Sequence, residues 1–203
     1  NNGLVGAAGS TGVINYVKSY EGMNLNAAYR SGSAASSADG GVSGVGEGAW
    51  DFALTTDGSA IGIDGIAAGA GYGKASLGES GTGSGDEKHS TVFVNYSIGM
   101  ITVGAQMSDI SMPGNAGVDE KTDAWGIAVN VNENLSVSYG EREVEYNNPT
   151  AANVVEAGEG LAVAYTMGSM KIAGNMNEVS NNDNATGSAA TDEMTEVAIS
   201  FAF

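Results

Sequence analysis

Alternation of apolar residues with small or polar ones is the feature that most constrains this chain. It is clearest in residues 192–203, where Val197, Ile199, Phe201 and Phe203 occupy every second position. Glutamate, alanine and serine fill the positions between them. Successive side chains of a β-strand point to opposite faces, so this segment has one apolar face and one small or polar face. The pattern predicts a strand whose apolar face must lie against nonpolar surroundings.

The same alternation recurs in about ten further segments from Val13 onward, for example in residues 23–30, 91–98 and 161–167. Each segment has roughly nine to eleven residues, the length that a tilted strand needs to cross a bilayer. No segment shows a helical period of useful length. The sequence therefore predicts an all-β protein, a transmembrane antiparallel up-and-down β-barrel with about eleven visible strands.

The segments between the predicted strands differ in length in a regular way. Short turns are expected near Gly22, Gly58, Gly99, Asn132 and Gly168. Long polar loops are expected over residues 31–46, 76–88, 111–122, 147–158 and 180–191. Strict alternation of short and long connections is typical of an outer-membrane barrel, with tight turns at one edge and longer loops at the other. Nothing forces that asymmetry on a soluble sandwich.

The second face of the predicted strands is small and polar rather than densely charged. The charged fraction is only 15%, and 32 residues are glycine. Small polar side chains suit a crowded, water-filled barrel interior, so nine residues are predicted to line a pore. They are Asn24, Asn26, Arg30, Asp51, Gln106, Arg142, Lys171, Asn175 and Asn177. Six aromatic residues are predicted to form an interfacial girdle: Tyr29, Trp50, Tyr72, Trp125, Tyr139 and Tyr165.

Composition also excludes several kinds of function. The chain has no cysteine, which rules out a thiol nucleophile and a thiolate metal site. Its single histidine, His89, cannot form a multi-histidine zinc site, and it is interpreted as a solvated strand end. The net charge of −17 repels phosphate backbones, so no nucleic-acid partner is expected. No catalytic constellation is found, and the protein is not expected to be an enzyme.

Carboxylates in the predicted loops and strand ends are candidates for a calcium or magnesium site, because these ions prefer oxygen ligands. The candidates are Asp119, Glu120, Asp123, Glu141, Glu143 and Glu145. Divalent ions at these positions could also link the loops to anionic lipopolysaccharide. No calcium-loop motif is present, and a solvated acidic surface is the alternative. No other cofactor is predicted.

Two motifs carry a resemblance to a known family: G-V-I-N-Y-V-K-S-Y-E-G-M-N-L-N-A-A-Y-R (Gly12 to Arg30) and E-V-A-I-S-F-A-F (Glu196 to Phe203). The chain resembles Gram-negative general-diffusion porins, sixteen-stranded trimeric barrels of the outer membrane. The resemblance implies passive diffusion of small hydrophilic solutes and ions, a homotrimer, and contact with outer-membrane lipid and lipopolysaccharide. It also implies that Val197, Ile199, Phe201 and Phe203 form an assembly signal.

The resemblance further implies how the chain is organised. Residues 1–203 would form a single barrel domain, with residues 1–11 as the end of the inward-folded constriction loop. Residues 12–203 would supply about eleven strands, the C-terminal two-thirds of a porin, and the N-terminal strands would be missing. The alternative is a complete twelve-stranded barrel in which Leu4 to Gly9 form an additional strand.

The most detailed functional prediction concerns selectivity between cations and anions. Excess acid at the loop side predicts a mild cation preference, while the resemblance implies that Arg30, Arg142 and Lys171 are part of a basic wall facing acidic residues. Two alternatives remain: a substrate-specific channel, and a non-transport surface β-protein such as an adhesin or S-layer-like module. An adhesin would need charged residues on the second strand face, where they are scarce.

Overall fold

The computed structural model describes residues 13–31, 48–76, 85–113, 118–149, 151–187 and 190–202. This part of the chain forms one sheet of eleven strands. The strands are β1 Val13–Tyr20, β2 Met23–Ser31, β3 Gly48–Thr56, β4 Ile66–Ser76, β5 Asp86–Ile98, β6 Ile101–Ser111, β7 Asp119–Asn130, β8 Leu135–Asn147, β9 Val154–Met167, β10 Met170–Ser180 and β11 Asp192–Phe201.

The order of strands in the sheet is their order in the chain, and each pairs antiparallel with the next. The predicted all-β, up-and-down architecture is therefore confirmed. Some strands are longer than the alternation alone predicts, since β5 and β8 have 13 residues each and β9 has 14. In the described residues β1 and β11 are the two edges of the sheet and do not pair with each other.

Three connections are two-residue hairpin turns, and glycine supplies the backbone geometry that each requires. In the first turn both Glu21 and Gly22 have positive φ, 41° and 78°. The turns after β5 and β9 begin with Gly99 and Gly168, each at φ 60°. Turns with positive φ match the twist of the flanking strands, which explains why glycine occurs at these places.

The connection between β3 and β4 differs from the expected short turn. It spans residues 57–65 and includes a 3₁₀ turn at Ser59–Ile61. The carboxylate of Asp57 accepts hydrogen bonds from the hydroxyl of Ser59 at 2.7 Å and from its backbone N–H at 3.0 Å, which lowers the pKa of Asp57. The N–H of Asp57 donates to the carbonyl of Gly22 at 3.0 Å. The strict alternation of short and long connections is wrong here, because the segment folds against the neighbouring turn.

The register sorts the strand residues into two faces, since residues directly opposite in an antiparallel pair point the same way. We call one the apolar face. Across it runs, for example, the row Ile98, Ile101, Val129, Val137 and Val163. We call the other the polar face. Across it runs the row Ser97, Thr102, Ala128, Ser138, Ala162 and Asn175.

The apolar face is not covered by a second layer of structure. Val197 is 73% exposed and Ile14 is 72% exposed, and no large side chain among the described residues is fully buried. An apolar surface of this extent does not remain in contact with water in a monomeric soluble protein. Within the described part of the chain, no helix is long and apolar enough to span a membrane.

Candidate functional site

All nine residues predicted to line a pore lie on the polar face. Asn24 lies opposite Thr55, Gln106 opposite Phe93, and Asn177 opposite Gly160, all on this face. The nine residues are distributed over β2, β3, β6, β8 and β10: Asn24, Asn26, Arg30, Asp51, Gln106, Arg142, Lys171, Asn175 and Asn177. The structure thus places them on one surface, and their pore-lining role stays a prediction.

A shallow groove crosses the middle of the polar face. Four glycines on the adjacent strands β6 to β9 lie directly opposite one another: Gly104, Gly126, Gly140 and Gly160. Amide side chains close both ends, because Asn95 lies opposite Gly104 and Asn177 lies opposite Gly160. A side chain at either of those two glycines would collide with the neighbouring amide oxygen. The bottom of the groove is therefore peptide backbone.

Uncharged hydrogen-bonding groups surround this groove. The amide of Gln106 donates to the hydroxyl of Ser108 at 3.1 Å, and the hydroxyls of Thr91 and Ser108 are 2.9 Å apart. The amide of Asn177 donates to Asn175 at 3.0 Å. Such groups hydrogen-bond both to one another and to water, so they suit a hydrated surface. Sequence reasoning omitted Asn95, although its position in the alternation of residues 91–98 marks it as a polar-face residue.

Arg142 forms an ion pair on this face. Its guanidinium donates to the carboxylate of Glu156, whose side chain is only 5% exposed, and the hydroxyl of Tyr146 also donates to Glu156, at 3.3 Å. Arg30 lies on β2, and Lys171 lies next to the short turn that joins β9 and β10. The three cations expected to form a basic wall share one face, but the described structure does not bring them together.

Carboxylates outnumber cations on the polar face of the described strands. The carboxylates there are Asp51, Glu87, Glu120, Glu156, Asp192 and Glu196. The cations there are Arg30, Arg142 and Lys171. Because the Arg142–Glu156 pair is neutral, the remaining described charge on this face is negative.

The six carboxylates proposed for a divalent ion are divided between the two faces. Glu120 lies opposite Tyr146 on the polar face, whereas Asp123 and Glu143 lie opposite each other at the loop end of the apolar face. Asp119 accepts a hydrogen bond from the N–H of Met112 at 2.7 Å. Of the six, only Glu120 lies on the polar face, and the others lie along the apolar face of β7 and β8: Asp119, Asp123, Glu141, Glu143 and Glu145. Among the described residues, no three His, Asp or Glu side chains are arranged to hold a metal ion.

The six aromatic residues of the expected girdle all lie on the apolar face: Tyr29, Trp50, Tyr72, Trp125, Tyr139 and Tyr165. The ring centroids of Trp125 and Tyr139 are 5.9 Å apart. The indole N–H of Trp125 donates to Glu141 at 3.1 Å, and the hydroxyl of Tyr139 lies 2.7 Å from both Glu141 and Glu159. These rings therefore lie between an apolar surface and a charged one, as aromatic residues do at membrane interfaces.

Strand β11 has the face assignment that the terminal motif predicts. Val197, Ile199 and Phe201 lie on the apolar face, and they are 73%, 58% and 58% exposed. Phe203, the fourth residue of the predicted assembly signal, lies outside the described residues. Residues 1–11, expected to end a constriction loop, and the alternative strand Leu4 to Gly9 also lie outside them.

Comparison with solved structures identifies the fold. An anion-selective porin from Comamonas acidovorans superposes with a TM-score of 0.67 and 15% sequence identity, covering 97% of this chain and 64% of its own. A porin structure refined at 1.8 Å gives a TM-score of 0.64 at 16% identity, covering 94% of this chain and 61% of its own. The outer membrane channel DcaP of Acinetobacter baumannii gives 0.63 at 12% identity, with the same two coverages, 94% and 61%.

Sequence comparisons add nothing to this fold match: no protein-family model matches the chain, and no curated protein matches it. The chain thus has the fold of porin barrels and spans less than two thirds of the length of each of these three structures. At such low identities the likeness shows the fold alone, and function has to be argued from the two faces of the sheet.

Proposed function

We propose that this chain forms most of the wall of an outer-membrane channel through which small hydrophilic solutes and ions diffuse passively. The observation that carries the proposal is the contrast between the two faces of a single-layered sheet. One face is exposed and mainly apolar, and the other is lined with amides, hydroxyls and charges. A transmembrane barrel needs lipid on one side of its wall and water on the other.

The apolar face supports a bilayer rather than a soluble partner. Its aliphatic rows end at aromatic residues, and the row beyond Tyr139 contains Trp125 together with the acidic residues Glu141 and Glu159. Fully covering one exposed Val, Leu or Ile side chain yields about 1.5–3 kcal/mol, so insertion of the whole band is strongly favourable. The sequence of aliphatic, aromatic and charged rows matches the change from hydrocarbon to headgroup to water.

The polar face supports a mild preference for cations. Its described carboxylates exceed its cations, and this excess persists when the Arg142–Glu156 ion pair, which removes one charge of each sign, is set aside. The fold does not dictate the sign of selectivity, because one structure with this fold is an anion-selective porin. We therefore base the cation preference on the charges of this chain itself.

We also propose that the sheet is part of a larger barrel, with further strands between β11 and β1. Both edge strands leave backbone hydrogen-bonding groups unpaired in the described residues, and lipid does not tolerate open edges. Measuring the intact mass of the protein isolated at its native length tests this. We expect a mass clearly above the 20.3 kDa of this sequence. A closed barrel at 20.3 kDa would contradict the idea and favour a smaller barrel.

We further propose that three copies of the protein assemble into a homotrimer. Lipopolysaccharide would contact this complex on the side of the acidic loops. Porin barrels of the resembled family assemble as trimers, and β11 would then lie near the contact between chains. Native mass spectrometry in detergent measures the assembly directly. A species of three chains is expected, whereas a uniform monomer would remove the trimer from the proposal and leave the channel intact.

Planar-bilayer recording tests the channel itself. The native-length protein, extracted in detergent, should produce stepwise conductance that increases in proportion to salt concentration, as a water-filled pore does. In a salt gradient the reversal potential should show mild cation preference. Folded protein that never conducts, and that stays soluble without detergent, would instead support a surface β-protein of the adhesin or S-layer kind.

A further inference from the structure

An aromatic ring lies on the polar face, beside the groove at the middle of the sheet. Phe93 belongs to β5 and lies opposite Gly69 on β4 and Gln106 on β6. Its ring extends over Gly69, where an added Cβ atom would be 2.6 Å from a ring carbon. The other tyrosine or phenylalanine on this face of the described strands, Tyr146, donates its hydroxyl to Glu156 instead. Phe93 therefore gives the otherwise polar face an apolar surface at this position.

The ring of Phe93 and several uncharged polar side chains line one cavity of about 600 Å³. One ring, three amides and two hydroxyls contribute to its lining: Phe93, Asn95, Gln106, Asn177, Thr102 and Ser138. Its floor is the backbone of β6 to β9, which extends for about 14 Å across the sheet at the ordinary spacing of strands. The volume is in the range of small-molecule sites, about 300–1,000 Å³.

The amides of this cavity keep hydrogen-bonding capacity for a solute. Within the described part of the chain, Asn95 makes no side-chain hydrogen bond. Gln106 donates through its NH₂ group to Ser108 at 3.1 Å, and Asn177 donates through its NH₂ group to Asn175 at 3.0 Å. Their carbonyl oxygens can still accept hydrogen bonds, and Asn95 can both donate and accept. A hydroxyl group also does both, so it is the solute group that these amides fit.

Charged side chains are absent from the described lining of the cavity. Arg142 lies in the row of Gln106, but it is paired with Glu156. His89, interpreted from the sequence as a solvated strand end, is instead half-buried, with its Nε2 atom 2.5 Å from a carboxylate oxygen of Glu87. This histidine does not line the cavity. An ion therefore finds no opposite charge in the cavity, which favours a neutral solute.

We propose that this cavity is a binding site for neutral oligosaccharides that pass through the channel. The inference rests on the proposed channel function and names a class of solute for it. The C–H groups of a sugar ring pack on the apolar ring of Phe93, and its hydroxyls bond to the amides of Asn95 and Gln106. The solute can approach the wall closely, because Gly126 and Gly140 have no side chain.

Block of single-channel current by maltotriose, a neutral trisaccharide, tests the proposal in the native-length protein. The wild-type current should fall to a constant level as maltotriose is added, with the half-blocking concentration in the millimolar range. Polyethylene glycol of the same hydrodynamic radius should lower the current only in proportion to its concentration, because it lacks the hydroxyl groups that the amides bind.

Variants of the lining should raise the half-blocking concentration. Phe93→Leu keeps an apolar side chain but removes the flat ring, so maltotriose should bind about five-fold more weakly. Asn95→Ala removes an amide and should weaken binding about three- to ten-fold. Phe93→Tyr keeps the ring and should be blocked like the wild type. Phe52→Ala is the matched control, because it removes a phenylalanine from the apolar face, and its block should be unchanged.

The outcomes separate the binding site from the channel itself. A wild-type current that shows no saturable block, or equal block of the wild type, Phe93→Leu and Asn95→Ala, would overturn the site and leave the channel intact. A wild-type protein that does not conduct would instead overturn the proposed function. Heat-modifiable migration verifies that each variant has folded, and Asn95→Ala alone decides the test if Phe93→Leu does not fold.

Discussion

At the scale of single residues, the stability of the structure depends on glycines in particular backbone conformations and on buried charged side chains. Gly58 and Gly62 flank the 3₁₀ turn, and both have positive φ, 87° and 68°. They differ in their surroundings, because a Cβ on Gly58 would collide with the backbone carbonyl of Ile63, while a Cβ on Gly62 would meet nothing within 4 Å. Substitutions at the two glycines therefore distinguish the energetic effect of backbone strain from that of a steric collision.

Alanine substitutions of these glycines should have unequal effects on stability. Gly62→Ala should lower the free energy of unfolding by about 1–2 kcal/mol, because a non-glycine residue is strained in the left-handed backbone conformation. Gly58→Ala carries the same strain and a collision in addition, so it should cost clearly more. Urea unfolding of the refolded protein in detergent measures both. If both variants lost the same free energy of unfolding, residues 57–65 would have to relax enough to accommodate a Cβ at Gly58.

The Arg142–Glu156 contact leads to a second prediction at this scale. Glu156 is almost fully buried, so removing its cationic partner leaves a carboxylate with poor compensation. Arg142→Gln should destabilise the protein by about 1–3 kcal/mol. The double variant Arg142→Gln with Glu156→Gln should recover most of that loss, since no buried charge remains. Additive losses in this double-mutant cycle would contradict a direct coupling.

At the scale of strands, the alternation determines which face a residue occupies. Val163 and Ala162 are neighbours in β9, yet Val163 lies opposite Val137 on the apolar face and Ala162 lies opposite Ser138 on the polar face. In the proposed channel, the same substitution at these two positions would therefore meet lipid in one case and water in the other. They form a matched pair, because they are consecutive in the same strand and lie at nearly the same depth.

Arginine at these two positions should have opposite consequences. Val163→Arg should destabilise the membrane-inserted protein by about 2–4 kcal/mol, the cost of a cation on the lipid face near the bilayer midplane. Ala162→Arg should fold normally and reduce the cation preference, because it adds a positive charge to the pore wall. Folding into lipid vesicles, followed by electrophoretic mobility, measures the first effect. Equal folding yields for the two variants would contradict the face assignment.

The sequence predicts faces better than it predicts contacts. The period of two fixes whether Asn175 or Ile172 lies on the polar face, because the pleat is a local property of the strand. It does not show that Glu156 is buried, since that depends on Arg142 and Tyr146 of a neighbouring strand. Nor does it reveal the long connection at residues 57–65, where hydrogen bonds of Asp57 to Ser59 and Gly22 determine the path.

At the scale of the whole molecule, the described residues form a single-layered sheet in which no large side chain is fully buried, and such a sheet is stable only if its surroundings differ on its two sides. The fold matches porin barrels, while the charges and the amide-lined groove of the polar face are features of this chain's own residues. In the proposed function, the wall separates lipid from water, and individual residues on the polar face determine the selectivity.

Cysteine modification during bilayer recording tests this contrast most directly, because the chain has no native cysteine. Single-cysteine variants at Ala162 and Val163 would be exposed to a charged, water-soluble thiol reagent while the channel conducts. Ala162→Cys should react and lower the conductance in steps, whereas Val163→Cys should stay unmodified with unchanged conductance. If the Val163→Cys channel loses conductance and the Ala162→Cys channel does not, the polar face does not line the pore.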